Sequence, residues 1–258
     1  MEHRDVIQRE FTKQARDYAA GVNLSVASSE VLEGMAGLAD PAPEAEALDV
    51  GTGTGLLART LARRVRRVVG LDLTPAMLAE ASATAAREGL TNLCLMLGDG
   101  AALPFGNRRF DLVATRLTFH HMTDPRPVLR EMARVTRRDG TVLVGDMVCA
   151  EDPAVAARQN ALERARDPSH VRTLAWEEFL GLGEAEGLAV RGTARWALEV
   201  RFDAWARLSS TPPGVAAEIR AALIEDIGKG RTGFRPFLKD DVLYFLHAWG
   251  AVSFALRG

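Results

Sequence analysis

A glycine-rich segment at residues 47–55 has the residue types needed to hold a ligand against the main chain. It reads Ala-Leu-Asp-Val-Gly-Thr-Gly-Thr-Gly, so a short apolar run ends in an acid and three glycines, Gly51, Gly53 and Gly55. Glycine lets the backbone adopt left-handed conformations and lets a ligand approach closely. In open α/β sheets, ligands bind at the carboxyl ends of the strands. The segment therefore predicts a strand, a ligand-binding loop and a helix in succession.

Two further acids follow apolar runs in the same way. Asp72 comes after the run 68–71, where its carboxylate could accept hydrogen bonds from both hydroxyls of a ribose. Asp99 comes after the run 93–97, where it could accept a hydrogen bond from an adenine amino group. The apolar residues that follow Asp99 could pack beside the adenine ring. In this order, the three segments predict a cofactor that contains adenosine.

Two classes of cofactor are compatible with such a loop. Nicotinamide and flavin enzymes use G-x-G-x-x-G, and counting from Gly51 puts Leu56 at the third glycine. Counting from Gly53 puts Ala58 at the third glycine position, where alanine is tolerated. However, this register leaves Asp49 and Gly51 without a role. The pattern D-x-G-x-G-x-G accounts for Asp49 and for all three glycines. That pattern is typical of methyltransferases that use S-adenosylmethionine (SAM).

Together these segments resemble the class I SAM-dependent methyltransferases, particularly the ubiquinone/menaquinone-biosynthesis-like group known as type 11. The matching segments are LDVGTGTG, VVGLDLTPAML, GDGAALPF, FDLVATRLTFHHMTDP and VLREMARVTRRDGTVLVGDM. The resemblance is close over residues 45–148 and looser elsewhere. It implies SAM as the cofactor, and it is specific for cofactor and fold but not for the substrate.

The resemblance also implies which residues meet each part of the cofactor. The methionine portion would be surrounded by the glycine loop and covered by an aromatic residue near the N-terminus: Asp49, Gly51, Thr52, Gly53 and Tyr18. The ribose would be held at the end of the second strand by Asp72, with Leu73 and Met77 nearby. The adenine would meet Asp99 and Gly100, and the floor of the site would include Arg116.

Two adjacent histidines, His120 and His121, follow the predicted fourth strand at the expected mouth of the acceptor pocket. Methyl transfer needs an in-line nucleophile, exclusion of water and sometimes a base, and histidine takes up protons near neutral pH. Both are therefore candidate general bases. Alternatively, one of them packs locally and the other lines the pocket without catalysing. No metal site is expected with Asp124, because adjacent side chains rarely converge on one ion and no H-E-x-x-H helix is present.

The elements that must position these residues alternate between strand and helix patterns. Strands are predicted at 45–50, 68–71, 93–97, 110–114, 141–148, 189–200 and 242–257. Helices are predicted at 4–20, 25–38, 56–64, from 75, at 125–138 and at 175–187. Alternation of this kind predicts a parallel sheet with helices on both faces. With the antiparallel final strand that the resemblance implies, the expected fold is a doubly wound, Rossmann-like, seven-stranded α/β sheet.

We expect one methyltransferase domain over 1–258. Residues 1–40 would form a helical cover, 45–148 the SAM-binding core, and 150–258 a C-terminal half with inserted helices at about 202–228. The inserted helices could pack on the edge of the sheet or act as a lid over the acceptor. The Phe and Trp side chains of this insertion would favour an apolar or aromatic acceptor.

Composition and charge exclude several classes of protein. The chain has 258 residues, 47% hydrophobic and 26% charged, with a net charge of −2. Such a balance gives no positive field for nucleic acid. No apolar run approaches the roughly 18 residues of a membrane helix, and the charged N-terminus does not resemble a signal peptide. We therefore expect a cytoplasmic protein without membrane insertion. Cys94 and Cys149 are expected to be small buried hydrophobic residues.

Three functions remain to be weighed. The favoured one is O-, C- or N-methylation of a small organic molecule. An RNA or DNA methyltransferase is disfavoured by the acidic pI of about 6.2 and by Ala-Thr-Arg-Leu at 114–117, where an Asn/Asp-Pro-Pro-aromatic motif would be expected. A SAM-binding protein with a non-methylating activity stays open, because one fold hosts many functions. The identity of the acceptor, the atom methylated and the oligomeric state are left open.

Overall fold

The structure is a computed structural model that describes residues 3–19 and 28–257. Its helices are α1 (His3–Ala19), α2 (Ser29–Ala39), α3 (Leu56–Ala62), α4 (Pro75–Arg87), α5 (Arg126–Val135), α6 (Pro153–Arg166), α7 (Trp176–Ala185), α8 (Phe202–Leu208) and α9 (Pro213–Glu225). Its strands are β1 (Glu46–Val50), β2 (Arg67–Asp72), β3 (Leu93–Leu97), β4 (Phe110–Arg116), β5 (Thr136–Cys149), β6 (Leu174–Ala175), β7 (Leu188–Arg201), β8 (Phe237–Lys239) and β9 (Val242–Leu256). The predicted start of the second helix, at 25–27, lies outside the described residues.

The strands form one sheet in the order β3-β2-β1-β4-β5-β9-β7. Strands β1 to β5 pair in parallel, and β9 runs antiparallel to both β5 and β7. The predicted mostly parallel sheet with an antiparallel final strand is confirmed, and this path contains the seven predicted strands. In the described part of the chain, two short strands bring the total to nine, since β6 pairs with β5 and β8 with β9.

Helices cover both faces of the sheet. One apolar core packs α5 and α7 against the sheet, and a second packs α2 and α3 against the opposite face. The strand order reverses between β1 and β4, so the loops after these strands diverge and leave a crevice at their carboxyl ends. The crevice is where the candidate residues gather.

The junction between α5 and β5 differs from the prediction. The helix was expected to reach residue 138 and to stop at Asp139-Gly140, but α5 ends at Val135 and β5 begins with Thr136. The pairing of β4 with β5 shifts register here. At Gly140, a Cβ atom would lie 2.7 Å from the carbonyl oxygen of Asp111, so glycine serves the close approach of two strands and does not end a helix.

Three further elements were not predicted: α6, β6 and β8. The cysteine prediction is correct for Cys149, which is buried, and wrong for Cys94, which is exposed. Cys94 lies on β3, and β3 is at the edge of the sheet. A residue on an edge strand has a neighbouring strand on one side only, so an apolar run there is less completely covered.

The inserted helices α8 and α9 pack with the far ends of β7 and β9 around a small apolar core of their own. The predicted apolar stripe of α9 is only partly buried. Ile219 and Leu223 are buried, Val215 packs beside them, and Ile227 is exposed. Among the helices of the described residues, none combines the length and the apolar character that a membrane crossing requires.

Candidate cofactor and acceptor site

A cavity of about 490 Å³ lies at the carboxyl ends of β1, β2 and β4, beneath α1 and α8. The structure brings together there every residue that the sequence predicts for cofactor binding or catalysis. These residues are Tyr18, Asp49, Gly51, Thr52, Gly53, Asp72, Leu73, Met77, Asp99, Gly100, Arg116, His120 and His121.

Asp49, on β1, carries a buried carboxylate with one unpartnered oxygen. Its Oδ2 accepts a hydrogen bond from Thr52 Oγ1 at 2.7 Å, whereas its buried Oδ1 has no partner among the described residues. Burial raises the pKa of Asp49 to about 7, although Thr52 and Arg116 act in the opposite direction. Because an unpaired buried acceptor is costly, a bound donor such as an ammonium group would be stabilised at this point.

The loop after β1 keeps close to β4 because it begins with glycine. Gly51 has a φ of 68°, and a Cβ atom there would collide with the methyl group of Thr118. The N–H groups of Gly51 and Thr52 both donate to the carbonyl of Leu71, at 2.8 and 2.9 Å. The loop is therefore anchored to β2 by its backbone and leaves the mouth of β1 open to a ligand.

Asp72, at the end of β2, organises two loops at once. Its Oδ2 accepts from the N–H of Gly53 and its Oδ1 accepts from the N–H of Thr74, both at 2.8 Å. Burial raises its pKa above the ordinary value, although these hydrogen bonds oppose the rise. Each carboxylate oxygen has further lone pairs, so Asp72 can still accept from ligand hydroxyls.

Asp99, after β3, lies at the other end of the cavity. Its Oδ1 accepts from the N–H of Ala101 at 2.9 Å, and its Oδ2 forms an ion pair with Arg4 of α1. At the next residue, Gly100, a Cβ atom would lie 2.8 Å from Cγ1 of Val50, so only glycine lets this turn approach β1. The turn that carries Asp99 is therefore packed closely against β1.

His120 forms a buried pair with an acid that the sequence analysis missed. Its ring nitrogen Nδ1 lies 2.6 Å from Oδ1 of Asp146, on β5. Its backbone N–H donates to Oδ2 of the same carboxylate at 3.2 Å. Burial alone would raise the pKa of Asp146, but the attraction and hydrogen bond of His120 outweigh it and hold the pKa below its usual range. With Nδ1 bonded to the carboxylate, Nε2 is the nitrogen of His120 that can take a proton from a ligand.

His121 has a different environment. Its Nδ1 lies 3.1 Å from the carbonyl oxygen of Ser169, and its ring meets that of Phe11 edge to face at 4.8 Å. Burial, together with repulsion from His120, lowers the pKa of His121 to about 3. His121 is therefore neutral near pH 7 and is a poor proton acceptor, so the structure separates the two histidines that the sequence treated alike.

Residues from α6, α8 and β9 close the remaining end of the cavity: Arg166, Trp205, Leu208, His247 and Trp249. Trp205 and Leu208 belong to the insertion that was expected either to pack on the edge of the sheet or to act as a lid, whereas Arg166, His247 and Trp249 were not predicted as site residues. The buried Arg166 forms an ion pair with Glu163 at 3.1 Å and donates to Ser209 Oγ at 2.6 Å. His247 Nε2 lies 3.3 Å from the other oxygen of Glu163. A buried group of paired polar side chains therefore supports this end.

Tyr18 and Arg116 also line the cavity. Burial raises the pKa of Tyr18 to about 12 although Arg166 and Arg116 oppose it, so its phenol stays protonated. The ring of Tyr18 lies 6.1 Å from that of Phe11, which is about two turns earlier on the same face of α1. The guanidinium of Arg116 lies 5.7 Å from the centre of the Trp249 ring.

The chain matches the family model described as a methyltransferase domain over residues 48–144. It is 35% identical to the methyltransferase YcgJ of Bacillus subtilis over 186 residues, which are 72% of this chain and 74% of that protein. The crystal structure of YcgJ superposes with a TM-score of 0.80 at 31% identity and covers 88% of this chain and 98% of that one. A geranyl diphosphate C-methyltransferase from Streptomyces coelicolor, in complex with S-adenosyl-L-homocysteine (SAH), has a TM-score of 0.65. It is 14% identical and covers 89% of this chain and 78% of that one, so this likeness concerns the fold alone.

Proposed function

Since this chain belongs to the class I SAM-dependent methyltransferases, we propose that it methylates a small organic molecule in the cavity beneath α1 and α8. SAM is the cofactor of this family and supplies the methyl group from a sulfonium centre. The observation that carries the proposal is one cavity of about 490 Å³, which is lined both by the loops after β1 and β2 and by His120 of the His120–Asp146 pair. A volume of this size suits small ligands.

The residues of the cavity fit the cofactor part by part. The free Oδ1 of Asp49 would accept a hydrogen bond from the amino group of the methionine portion. Asp72 would bind the ribose hydroxyls, and Asp99 the adenine amino group, with Gly100 letting the turn after β3 pack against β1. Arg116 and Tyr18 would bound the methionine end, next to the acceptor.

Within this proposal, His120 accepts the proton that the acceptor loses. The hydrogen bond to Asp146 orients the imidazole and engages Nδ1, so a hydroxyl or amine proton of the acceptor passes to Nε2 as the acceptor takes the methyl group. His121 packs against α1 beside it and excludes water. The walls supplied by Trp205 and Leu208 support a single domain over 1–258, because the insertion forms part of the same cavity.

The direct test is binding of the cofactor by the purified chain. Calorimetry should detect SAM and SAH and no binding of NAD(H), because Asp49 and all three glycines belong to the SAM pattern. Binding of NAD(H) without binding of SAM would contradict the proposal. Incubation with labelled SAM and a panel of metabolites should then identify the acceptor by transfer of label.

The raised pKa of Asp49 predicts that SAH affinity increases with pH. In the free protein the carboxyl has a pKa of about 7, so it is mostly protonated at pH 6 and mostly ionised at pH 8. An ammonium group binds the ionised form, and the affinity should therefore rise about tenfold between these two pH values. Calorimetry at pH 6, 7 and 8 measures this.

The variant Asp49→Asn serves as the control for this pH dependence. It keeps the size of the side chain and removes its titration, so its weaker affinity should not change over the same range. An affinity of the wild-type chain that stays constant from pH 6 to 8 would show that the amino group binds elsewhere.

Contacts of α1 with both ends of the cavity support its role as a cover. Arg4 pairs with Asp99, Gln8 Nε2 donates to the carbonyl of Leu73 at 2.9 Å, and His3 Nε2 lies 2.8 Å from the carbonyl oxygen of His121. Covers of this kind exclude water when ligands bind.

We therefore expect the amides of α1 to become more protected from hydrogen exchange when SAH binds. The segment 202–228 should respond mainly to the acceptor, because Trp205 and Leu208 face that end. Hydrogen exchange with and without SAH provides the measurement. Equal protection of α1 in both states would identify a fixed structural helix, and Tyr18 would lose its proposed role.

A further inference from the structure

Two neighbouring imidazole rings line the cavity. The ring centroids of His120 and His121 lie 4.0 Å apart, and each residue is only 6% exposed. We propose that the two rings bind the acceptor together, and that the acceptor is a primary amine whose nitrogen donates one hydrogen to each Nε2 atom. This inference rests on the methyl-transfer function proposed above and names the chemical class of its acceptor.

The hydrogen-bond partner of His120 determines where its ring hydrogen lies. Nδ1 of His120 is 2.6 Å from Oδ1 of Asp146, whose carboxylate also accepts from the backbone N–H groups of His120 and Met147. These contacts hold the pKa of Asp146 below its usual range, and an ionised carboxylate can only accept. Nδ1 therefore carries the hydrogen, and Nε2 of the neutral ring carries a lone pair.

His121 has the same tautomer because of different partners. Its Nδ1 lies 3.1 Å from the carbonyl oxygen of Ser169 and 3.1 Å from Oγ of the same residue. The hydroxyl hydrogen of Ser169 is engaged by Oδ1 of Asp167 at 2.6 Å, so both oxygens of Ser169 can only accept from the ring. Since burial lowers the pKa of His121 to about 3, the ring is neutral and its Nε2 carries a lone pair.

Both Nε2 atoms are accessible to a ligand. Within the described residues neither atom makes a hydrogen bond, and neither belongs to the buried polar atoms that lack a partner. The two side chains are otherwise buried, so the cavity that they line is where these atoms are reached. The cavity therefore presents two neighbouring lone pairs, and a ligand satisfies both when it supplies two donor hydrogens.

A nitrogen with two hydrogens can satisfy both rings from a single atom. In a neutral primary amine, the two N–H bonds would point at His120 and His121, and the nitrogen lone pair would be left to face the methyl group of SAM. An alcohol or a secondary amine has one hydrogen on its nucleophilic atom. One lone pair of the site would then have no donor, which is unfavourable in a buried place.

The proton balance of the reaction gives the two rings separate roles. The amine lone pair forms the new N–C bond to the methyl group, while the electron pair of the breaking C–S bond stays on sulfur and gives SAH. The nitrogen is then a secondary ammonium with two hydrogens, and one of them passes as a proton to Nε2 of His120. His121 continues to accept a hydrogen bond from the other. The product is a secondary amine with one N–H, so we expect a single methylation.

Aniline, N-methylaniline and N,N-dimethylaniline provide the test, because they are uncharged at about pH 7.5 and carry two, one and no N–H hydrogens. Equilibrium dialysis against the full chain loaded with SAH measures their affinities. The methyl group that SAM carries is missing from SAH, so an N-methyl group has room there. We expect the affinity to fall roughly three- to tenfold for each hydrogen that is lost. The acceptor found with labelled SAM should carry one methyl group, on a nitrogen.

Two variants of His121 separate recognition by Nε2 from packing. His121→Asn keeps a donor near the position of Nδ1 and has no atom at the position of Nε2. It should therefore bind aniline and N-methylaniline with affinities within about twofold of each other. His121→Gln places its amide oxygen near the position of Nε2 and should restore part of the preference for aniline.

The matched control is His170→Asn, which should keep the preference of the wild type. His170 is also buried, and its ring lies 5.5 Å from that of His120, but it is not among the described residues that line the cavity. Retained SAH affinity shows that each variant is folded. If His121→Asn loses SAH binding, the three affinities of the wild-type chain decide the question alone.

Several results would overturn the inference: aniline does not bind to the SAH-loaded chain, aniline and N-methylaniline bind equally well, or a folded His121→Asn chain keeps the wild-type preference. Transfer of the label to an oxygen, a carbon or a secondary amine would also overturn it. Each of these results leaves the proposed methyl transfer intact as long as SAH binds. Failure of SAH itself to bind contradicts the proposed function instead, so the two failures are distinguishable.

Discussion

Replacing His120 by alanine should lower the turnover of methyl transfer about 100-fold or more, with the affinity for SAH preserved. The imidazole is held by Asp146 at 2.6 Å, so removing it takes away the positioned proton acceptor and leaves the cofactor loops untouched. Turnover is measured with the acceptor that the labelled-SAM screen identifies. Calorimetry with SAH on the same preparation checks that the cofactor end is intact.

Two variants distinguish a base from a side chain that only lines the pocket. Asp146→Asn should also lower turnover, because an amide can present its N–H to Nδ1 and no longer fixes the tautomer that leaves Nε2 able to accept a proton. His121→Ala should cost less than about tenfold, since burial lowers the pKa of His121 to about 3 and it is already a poor base. If neither histidine variant reaches tenfold, proximity and exclusion of water carry the reaction without a base.

Replacing Asp72 by alanine should weaken the binding of SAH more than 100-fold, or by about 3 kcal/mol. The carboxylate would accept charge-assisted hydrogen bonds from the ribose. It also holds the N–H groups of Gly53 and Thr74. The substitution therefore removes ligand contacts and loosens the loops that shape the site.

The control for this variant is Asp139→Ala, which removes an exposed carboxylate outside the cavity and should leave the affinity for SAH unchanged. Thermal unfolding of both variants separates lost binding from lost folding. An Asp72→Ala protein that is folded and binds SAH as the wild type does would mean that the ribose is held by other residues.

The cofactor end of the site could be predicted because its signals are local. Asp49 and Asp72 directly follow apolar residues, and Asp99 follows the run 93–97 after one glycine. The glycines Gly51, Gly53 and Gly55 have a spacing that few structures require. Strands that end at the same edge of a sheet bring such residues together whatever the later parts of the chain do. All thirteen predicted residues line one cavity, although Tyr18 comes from α1 and was expected there from the family resemblance alone.

The acceptor end could not be predicted in the same way, because its residues come from elements that meet only in the folded chain. Asp146 reaches His120 because β5 lies beside β4. Trp249 comes from β9, which inserts between β5 and β7 although β7 precedes it in sequence. The one signal that was available for Asp146 was its position as an acid near the end of the predicted strand 141–148, which in the structure lies beside β4.

The end of helix α5 was predicted wrongly for a related reason. The residues after Val135 are charged and end in Asp-Gly, which locally favours a helix and a stop. In the structure this stretch is the start of β5, and Arg137 forms an ion pair with Asp111 of β4. A contact with a distant strand therefore overrides the local preference.

The separate apolar core formed by α8, α9 and the far ends of β7 and β9 has a consequence for how such chains diversify. Trp205 belongs to this core and lines the acceptor end, whereas the three acids of the cofactor end belong to or follow β1, β2 and β3. Exchange of the segment between relatives would therefore remodel the proposed acceptor walls without rebuilding the loops that are proposed to bind the nucleoside. Recombination at the ends of β7 and β9 would then give proteins that take new acceptors, while the part of the chain before β7 stays unchanged.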